Sequence, residues 1–427
     1  MSNDAARSAL LAAARKELPR ILDFWLLHSV DNVSGGFYSS ITNDLEVDPG
    51  APKGLVLNAR ILWTFSRAYR HLPRADYAEA AGRAFAYLRD NFLDAQCGGY
   101  YLSVDATGKP LRTIKQTYAQ AFVLYGLSEY ARAMGGQEAL ELARDQYWTV
   151  ERARDPEFGG YLEAFTREWA PEKNTALGDD DPNEKKSMNT HLHIMEAYTN
   201  AFRALPLPEL RKSLVAVAEI IRDKVLDPAT AHFLLYFDED WTPTSRKVSY
   251  GHDIEGSWLC VETAEALGDP VTIAGSHLMA LRMADAVMRE GVAPDGSVLY
   301  EKDGSGRVDD DRHWWPQAEA VVGFLNAFQL SGDNKYLDAA SNVWAYIEKY
   351  MLDYRHGEWF WKVDRHGLPS PEKKKVDTWK CPYHNSRACF EVIERLEGKG
   401  SPGEAETGEA ETGRQARDDS GIHDSDR

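Results

Sequence analysis

The chain has 427 residues, 43% of them hydrophobic and 11% aromatic, and a formal net charge of −18. That length and apolar content suffice for a large packed core, while the acidic balance argues against nucleic acid and anionic membranes as partners. Cys97, Cys260, Cys381 and Cys389 show no CxxC or zinc-like spacing, so a reducing, cytoplasmic setting is expected.

The first segment, MSNDAARSALLAAARKELPRIL, lacks a secretory apolar region and reads as an amphipathic helix. No apolar run reaches membrane-spanning length. GGFYSSI at residue 35 has the aromatic and β-branched alternation of a short strand. NARILWTFSRAYRHL, from Asn58, follows as a helix that is apolar around much of its circumference. ADYAEAAGRAFAYLRDNFL comes next and has a wet face. The same succession then recurs. GGYYLSV at 98, closed by the turn DATGKP, precedes a helix from Gln116. GGQEA near 135 has no βαβ context and is not a dinucleotide or phosphate loop. GGYLEAF at 159 precedes NTHLHIMEAYTNAFRAL from Asn189, and HFLLYFD at 232 precedes HDIEGSWLCVETAEAL from His252. GSVLYEK at 296 precedes WPQAEAVVGFLNAFQ from Trp315, and GEWFWKV at 357 precedes HNSRACFEVIERL from His384. The acidic tail over 400–427 repeats GEAET and lacks aromatics, so it is expected to be disordered.

The strand-like segments begin 63, 61, 73, 64 and 61 residues apart. Six units, each with one buried and one half-exposed helix, predict a ring of inner helices inside a ring of outer ones. The expected fold is therefore all-α, an (α/α)6 barrel over residues 1–399 with short β-hairpins on its loops. An open solenoid is the alternative. Strand segments in every unit and aromatics at the inner-helix starts favour closure.

In such a barrel all six inner N-termini share one rim, where unpaired N–H groups and positive dipole ends gather. The residues there are Asn58 and Arg60, Tyr118, Asn189 with His191 and His193, His252 with Glu255, His313 with Trp314 and Trp315, and Trp379 with His384. A funnel of indoles, imidazoles, amides and one guanidinium suits a carbohydrate: aromatic faces stack on sugar C–H surfaces and polar groups bind hydroxyls. His193, His252 and His384 are read as occupying equivalent starts. His232, His277, His356 and His366 are read as packing residues, and Arg60 is balanced between a site role and pairing with an acidic neighbour. A metal is not expected. His191 and His193 are about 200° apart around a helix, and His252 with Glu255 lacks a third ligand at patterned spacing. No nucleophile elbow is present.

SMNTHLHIMEAYTN, YGHDIEGSW, DRHWWPQAEA and WKCPYHNSRAC together resemble the N-acylglucosamine 2-epimerase superfamily and, within it, look most like the cellobiose 2-epimerases. The similarity runs from about residue 15 to residue 396. It implies an (α/α)6 barrel and epimerisation of a reducing-end sugar at C2, without metal or nucleotide cofactor, on disaccharides such as cellobiose and lactose. It also implies that His252 and His384 form the acid/base pair and that His193 is a third essential histidine. Asn189, Glu255, Arg60, Tyr118, Trp315 and Trp379 fall on substrate-binding positions. Cys381 and Ser386 stand where relatives would not surprise with glycine.

The chemistry agrees with that assignment. Inverting C2 needs a proton removed beside a C1 aldehyde and one returned on the other face, a task for two groups that titrate near neutrality. Glu255, three residues after His252, is expected to hold that imidazole in a productive tautomer. A disaccharide is the expected partner, and the protein is expected to act as a monomer or weak dimer. Rival readings are another epimerase or aldose–ketose isomerase, a glycoside hydrolase using Glu255 and Glu319, or a non-catalytic sugar-binding protein.

Overall fold

A computed structural model of the chain describes residues 3–176 and 182–398, and the acidic tail over 400–427 lies outside the described residues. Twelve α-helices occur among them. Six are almost sealed from solvent: α2 (Leu55–His71), α4 (Thr117–Met134), α6 (Met188–Ala204), α8 (Tyr250–Leu267), α10 (Trp314–Ser331) and α12 (Tyr383–Glu397). Each packs on the next, and α12 packs back on α2. The ring is closed, which excludes the open solenoid. The other six are α1 (Asn3–His28), α3 (Ala75–Tyr87), α5 (Gln137–Glu151), α7 (Pro208–Ile220), α9 (Pro270–Glu290) and α11 (Asn334–Tyr346). These form the outer ring, in which α1 packs on α12 and α11 and so joins the two chain ends. No helix among the described residues is long and apolar enough to cross a membrane.

Close approach of inner helices is secured by glycine. A Cβ at Gly126 would stand 2.7 Å from the carbonyl oxygen of Ala59, and one at Gly323 2.7 Å from that of Ile254. Either would force neighbouring helices apart.

The sixfold rhythm is present, but its strands are shorter than expected. Each aromatic segment opens on one bridge, Val30 with Phe37, Leu93 with Tyr100, Arg154 with Tyr161, Leu226 with Phe233, Val292 with Val298, and Leu352 with Trp359, and the last five end in a two-residue strand. A two-residue strand before each of the first five inner helices pairs with the aromatic segment of the following unit, as Lys53–Gly54 does with Ser103–Val104. The bridge between Val376 and Ile41 completes the circle. The strands form only small sheets of two or three strands among the described residues, as the backbone crosses from helix to helix. Inner helices begin within three residues of the predicted starts, the largest shift being at α2, which starts at Leu55 and not at Asn58. Three outer helices end in a wider turn that the sequence pattern does not announce. The N–H groups of Leu93, Leu226 and Leu352 donate five residues back, to the carbonyls of Leu88, Ile221 and Ile347.

Candidate active site

At five of the six inner-helix starts one residue ties the aromatic segment to the helix. The N–H of Tyr100 donates to Gln120 Oε1 at 3.0 Å and that of Tyr161 to His191 Nε2 at 2.9 Å. The N–H of Phe233 donates to Asp253 Oδ1 and that of Val298 to Gln317 Oε1, both at 2.8 Å. Asn385 Nδ2 donates to Glu358 Oε1, which also accepts the N–H of Trp359. Asn58 holds the same place in α2.

Two positions beyond these anchors, about 200° around the helix, come Arg60, Phe122, His193, Glu255, Glu319 and Arg387. They form one layer across the barrel. The Arg60 guanidinium lies 4.2 Å from the Phe122 ring centre, and Phe122 lies 4.9 Å from His193. Arg387 Nη2 donates to Glu255 Oε1 at 2.5 Å and to Glu319 Oε1 at 2.6 Å. One position before the anchors stand His252 and His384, and two before stand Tyr118, Asn189 and Trp315. His252 and His384 are therefore equivalent. His193 is not, because it sits one turn deeper, in the layer of Arg60 and Glu255. Gly251 leaves the room Trp315 needs, since a Cβ there would stand 2.5 Å from the indole.

A cavity of about 620 Å³ opens above this layer, within the usual range for small-molecule sites. Arg60, Tyr118, Asn189, His193, His252, Glu255, Trp315, Trp379 and His384 all line it. His252 and His384 both lie against Trp315, with ring centres 4.6 and 5.7 Å from it, and so share one wall of one compartment. Trp379 is half-buried at the mouth, on a turn fixed by Asp377 Oδ1, which accepts the N–H groups of Trp379 and Lys380.

Each site histidine is held through Nδ1. His193 meets Glu196 Oε2 at 2.8 Å, His252 meets Ser249 Oγ at 2.8 Å, and His384 meets Glu319 Oε1 at 2.7 Å. Glu255 does not hold His252, contrary to expectation. The imidazole turns toward Trp315 and Ser249, while Glu255, one turn deeper, points to Arg387. Arg60 has no ion pair with a carboxylate among the described residues. It donates to the Tyr118 hydroxyl at 2.8 Å and faces the Tyr383 ring at 4.9 Å. His313 stacks on Tyr300 at 3.8 Å, and His191 is an anchor. His232 packs against Asp253 at 2.7 Å.

Burial sets the electrostatics. It pushes His252 down to about 3, helped by His193 and Arg60, and pushes His384 well below the ordinary histidine value. Burial and then the repulsion of Glu319 raise Glu255 to about 7. Glu196 would also be raised by burial, but Arg387 and His193 hold it down to about 2. Glu255, Glu319 and His384 place ligand atoms within 4.8 Å of one another. Arg387 already donates to both carboxylates, so the charge that would draw a cation is met. The same sharing leaves Glu255 and Glu319 side by side in the barrel floor, not flanking a bond as hydrolysis requires.

Glu196, Ser249 and Arg387 were not foreseen as site residues, and Glu319 was named only for the rival hydrolase reading. Only Glu196, three residues after His193 on one helix, carried a local signal.

Residues 36–388 match the family N-acylglucosamine 2-epimerase (GlcNAc 2-epimerase). A cellobiose 2-epimerase of Bacteroides fragilis is 45% identical over 382 residues, 89% of this chain and 97% of that relative. The solved cellobiose 2-epimerase of Spirochaeta thermophila DSM 6192 matches with a TM-score of 0.84 at 42% identity, over 93% of this chain and 98% of its own. That of Bacillus thermoamylovorans B4167 gives a TM-score of 0.86 at 36% identity, over 92% of this chain and 100% of its own.

Proposed function

The chain belongs to the N-acylglucosamine 2-epimerase family, and on that premise we propose that it inverts C2 of the reducing-end glucose of β-1,4-linked disaccharides. Cellobiose and lactose are the substrates, and the products end in mannose. The observation that carries this reading is the pair His252 and His384, equivalent in register, tied through Nδ1 and set against one indole over one cavity.

The hemiacetal must first open, because only the aldehyde acidifies the C2–H bond. His193, deep in the layer and fixed by Glu196, is placed to move a proton at O1 or O5. One imidazole then takes the C2 proton as the other, protonated, delivers one to the opposite face. Between these transfers the cis-enediolate carries negative charge on oxygen. Arg60, a buried cation without a carboxylate partner, is suited to meet it. Asn189 Oδ1 and Glu255 Oε2 are buried atoms without partners among the described residues, available to sugar hydroxyls. Trp315 and Trp379 supply stacking faces, and Tyr118 keeps Arg60 in place. The reading has the protein act as a monomer or weak dimer. Four free thiols suit the cytoplasm.

The test is NMR of cellobiose incubated with the protein in D2O. A mannose-ended product deuterated at C2 is expected, with a minor 2-ketose from reprotonation at C1. His252→Ala and His384→Ala should each abolish epimerisation and leave the fold intact. Free glucose as product, or substantial turnover in either variant, would refute the reading.

A further inference from the structure

The two imidazoles are alike in place and unlike in support. Behind His384 stands a carboxylate, with Nδ1 2.7 Å from Glu319 Oε1. That oxygen accepts from Arg387 Nη2 at 2.6 Å, and Trp258 Nε1 donates to Glu319 Oε2 at 3.1 Å. Burial raises Glu319 above the ordinary carboxylate value, and Arg387 and the Trp258 N–H act against that rise. As an ionised acceptor it fixes the proton on His384 Nδ1 and leaves Nε2 for the cavity. Behind His252 stands a hydroxyl, Ser249 Oγ, at 2.8 Å.

Ser249 precedes α8, where a serine ordinarily caps the helix by accepting a backbone N–H. Ser187 does so for α6, accepting from Thr190 at 3.1 Å. Ser249 makes no cap bond, and its hydroxyl is turned to the imidazole instead. The forgone cap is the mark of a serine placed for His252.

We propose that Glu319 and Ser249 are positioning residues that make the pair unequal, with Glu319 sustaining the imidazolium form of His384 and Ser249 orienting a neutral His252. This rests on the two-histidine reading above. The other charged and titratable groups facing His384 do not substitute for Glu319. Arg60 from α2 and Arg387 from α12 oppose its protonation, as do His193 from α6 and His252 from α8 when charged. Glu255 from α8 is 4.0 Å away and already bound to Arg387. Tyr118 from α4 and Tyr383 from α12 stay neutral, because burial raises both hydroxyls.

The readout is the pH profile of kcat/KM for cellobiose. A pair that must hold one proton loses activity on the alkaline side when that proton leaves. Glu319→Gln keeps an acceptor for Nδ1–H but removes the charge. It should move the alkaline limb toward lower pH by about one unit or more, and Glu319→Asp should return it part of the way. Ser249→Ala should lower kcat several-fold and leave the alkaline limb in place. Superimposable profiles for the wild type and a folded Glu319→Gln overturn the assignment, as does an equal alkaline shift in Ser249→Ala. If Glu319→Gln fails to fold, Trp258→Phe decides. Losing that donor lets burial raise Glu319 further toward its neutral form and should shift the limb to lower pH, as Glu319→Gln does, and no shift overturns the proposal. Solvent deuterium exchange at C2 is followed in parallel. No exchange in the wild type sinks the two-histidine reading itself, whereas intact exchange with unmoved limbs sinks only the unequal support.

Discussion

Arg60 shows most plainly how this site trades stability for chemistry. Arg60 is 3% exposed, bonds a neutral phenol and a thiol, and leaves Nε without a partner among the described residues. A buried cation in that setting costs folding energy, and its charge is useful only when an anion forms in front of it. Arg60→Met should therefore lower kcat by about 10²- to 10³-fold, the usual loss for an oxyanion donor. The thermal midpoint should hold or rise. Steady-state kinetics and a thermal melt on the same preparation check both halves, and a fall in stability with little loss of kcat would assign Arg60 to the core. Residues of this kind were legible in the sequence because each rim side chain lies beside a helix start. Their partners mostly were not. Glu319 and His384 are 65 positions apart, Arg387 and Glu196 are 191 apart, and only closure of the ring brings them together. Glu255 was assigned to His252 because three-residue spacing on a helix was the one geometry available without that closure.

The inner-helix starts use interchangeable anchors, and one of them titrates. His191 accepts the Tyr161 N–H through Nε2 and is fully buried, and burial pushes it down to about 4. Below pH 6.5 the unfolded chain binds a proton that the native state refuses until about pH 4. Stability therefore falls across that window as the pH is lowered, by up to a few kcal/mol. Gln120 and Gln317 do the same task at equivalent positions without titrating. His191→Gln should fold, retain activity and show a smaller drop in thermal midpoint between pH 6.5 and 4 than the wild type. An unchanged pH dependence would remove His191 from the account of acid sensitivity. The sixfold rhythm of these elements was plain in the sequence, since each unit repeats glycine, aromatics and an apolar helix. Strand length was not, because period-two alternation marks which side chains turn inward, and that pattern persists over one bridge and a two-residue strand. The wide turns ending α3, α7 and α11 have no residue signature and answer to the geometry of the join.

The whole barrel depends on joining its two ends. Glu358 has φ of 61°, a strained value for a glutamate, and it is held there by partners from both ends. Trp25 Nε1 of α1 donates to it at 2.8 Å, Asn385 Nδ2 of α12 at 2.7 Å, and Lys380 Nζ pairs with it at 2.5 Å. Glu358→Ala leaves Lys380 buried and unpaired, so it should destabilise the fold by about 3–5 kcal/mol. A urea titration measures this, and a change below about 1 kcal/mol would show that closure does not rest on this knot. Closure matters because it sets α12, and with it His384, beside α10 and so on the same Trp315 wall as His252 of α8. The most direct measurement of that arrangement is C2–H exchange in D2O with each single variant and each epimer supplied separately. His252→Ala should exchange the C2 hydrogen of one epimer only, and His384→Ala that of the other only, because each remaining imidazole reaches one face. Exchange of both epimers by either single variant, or of the same epimer by both, would contradict two histidines acting on opposite faces of one carbon.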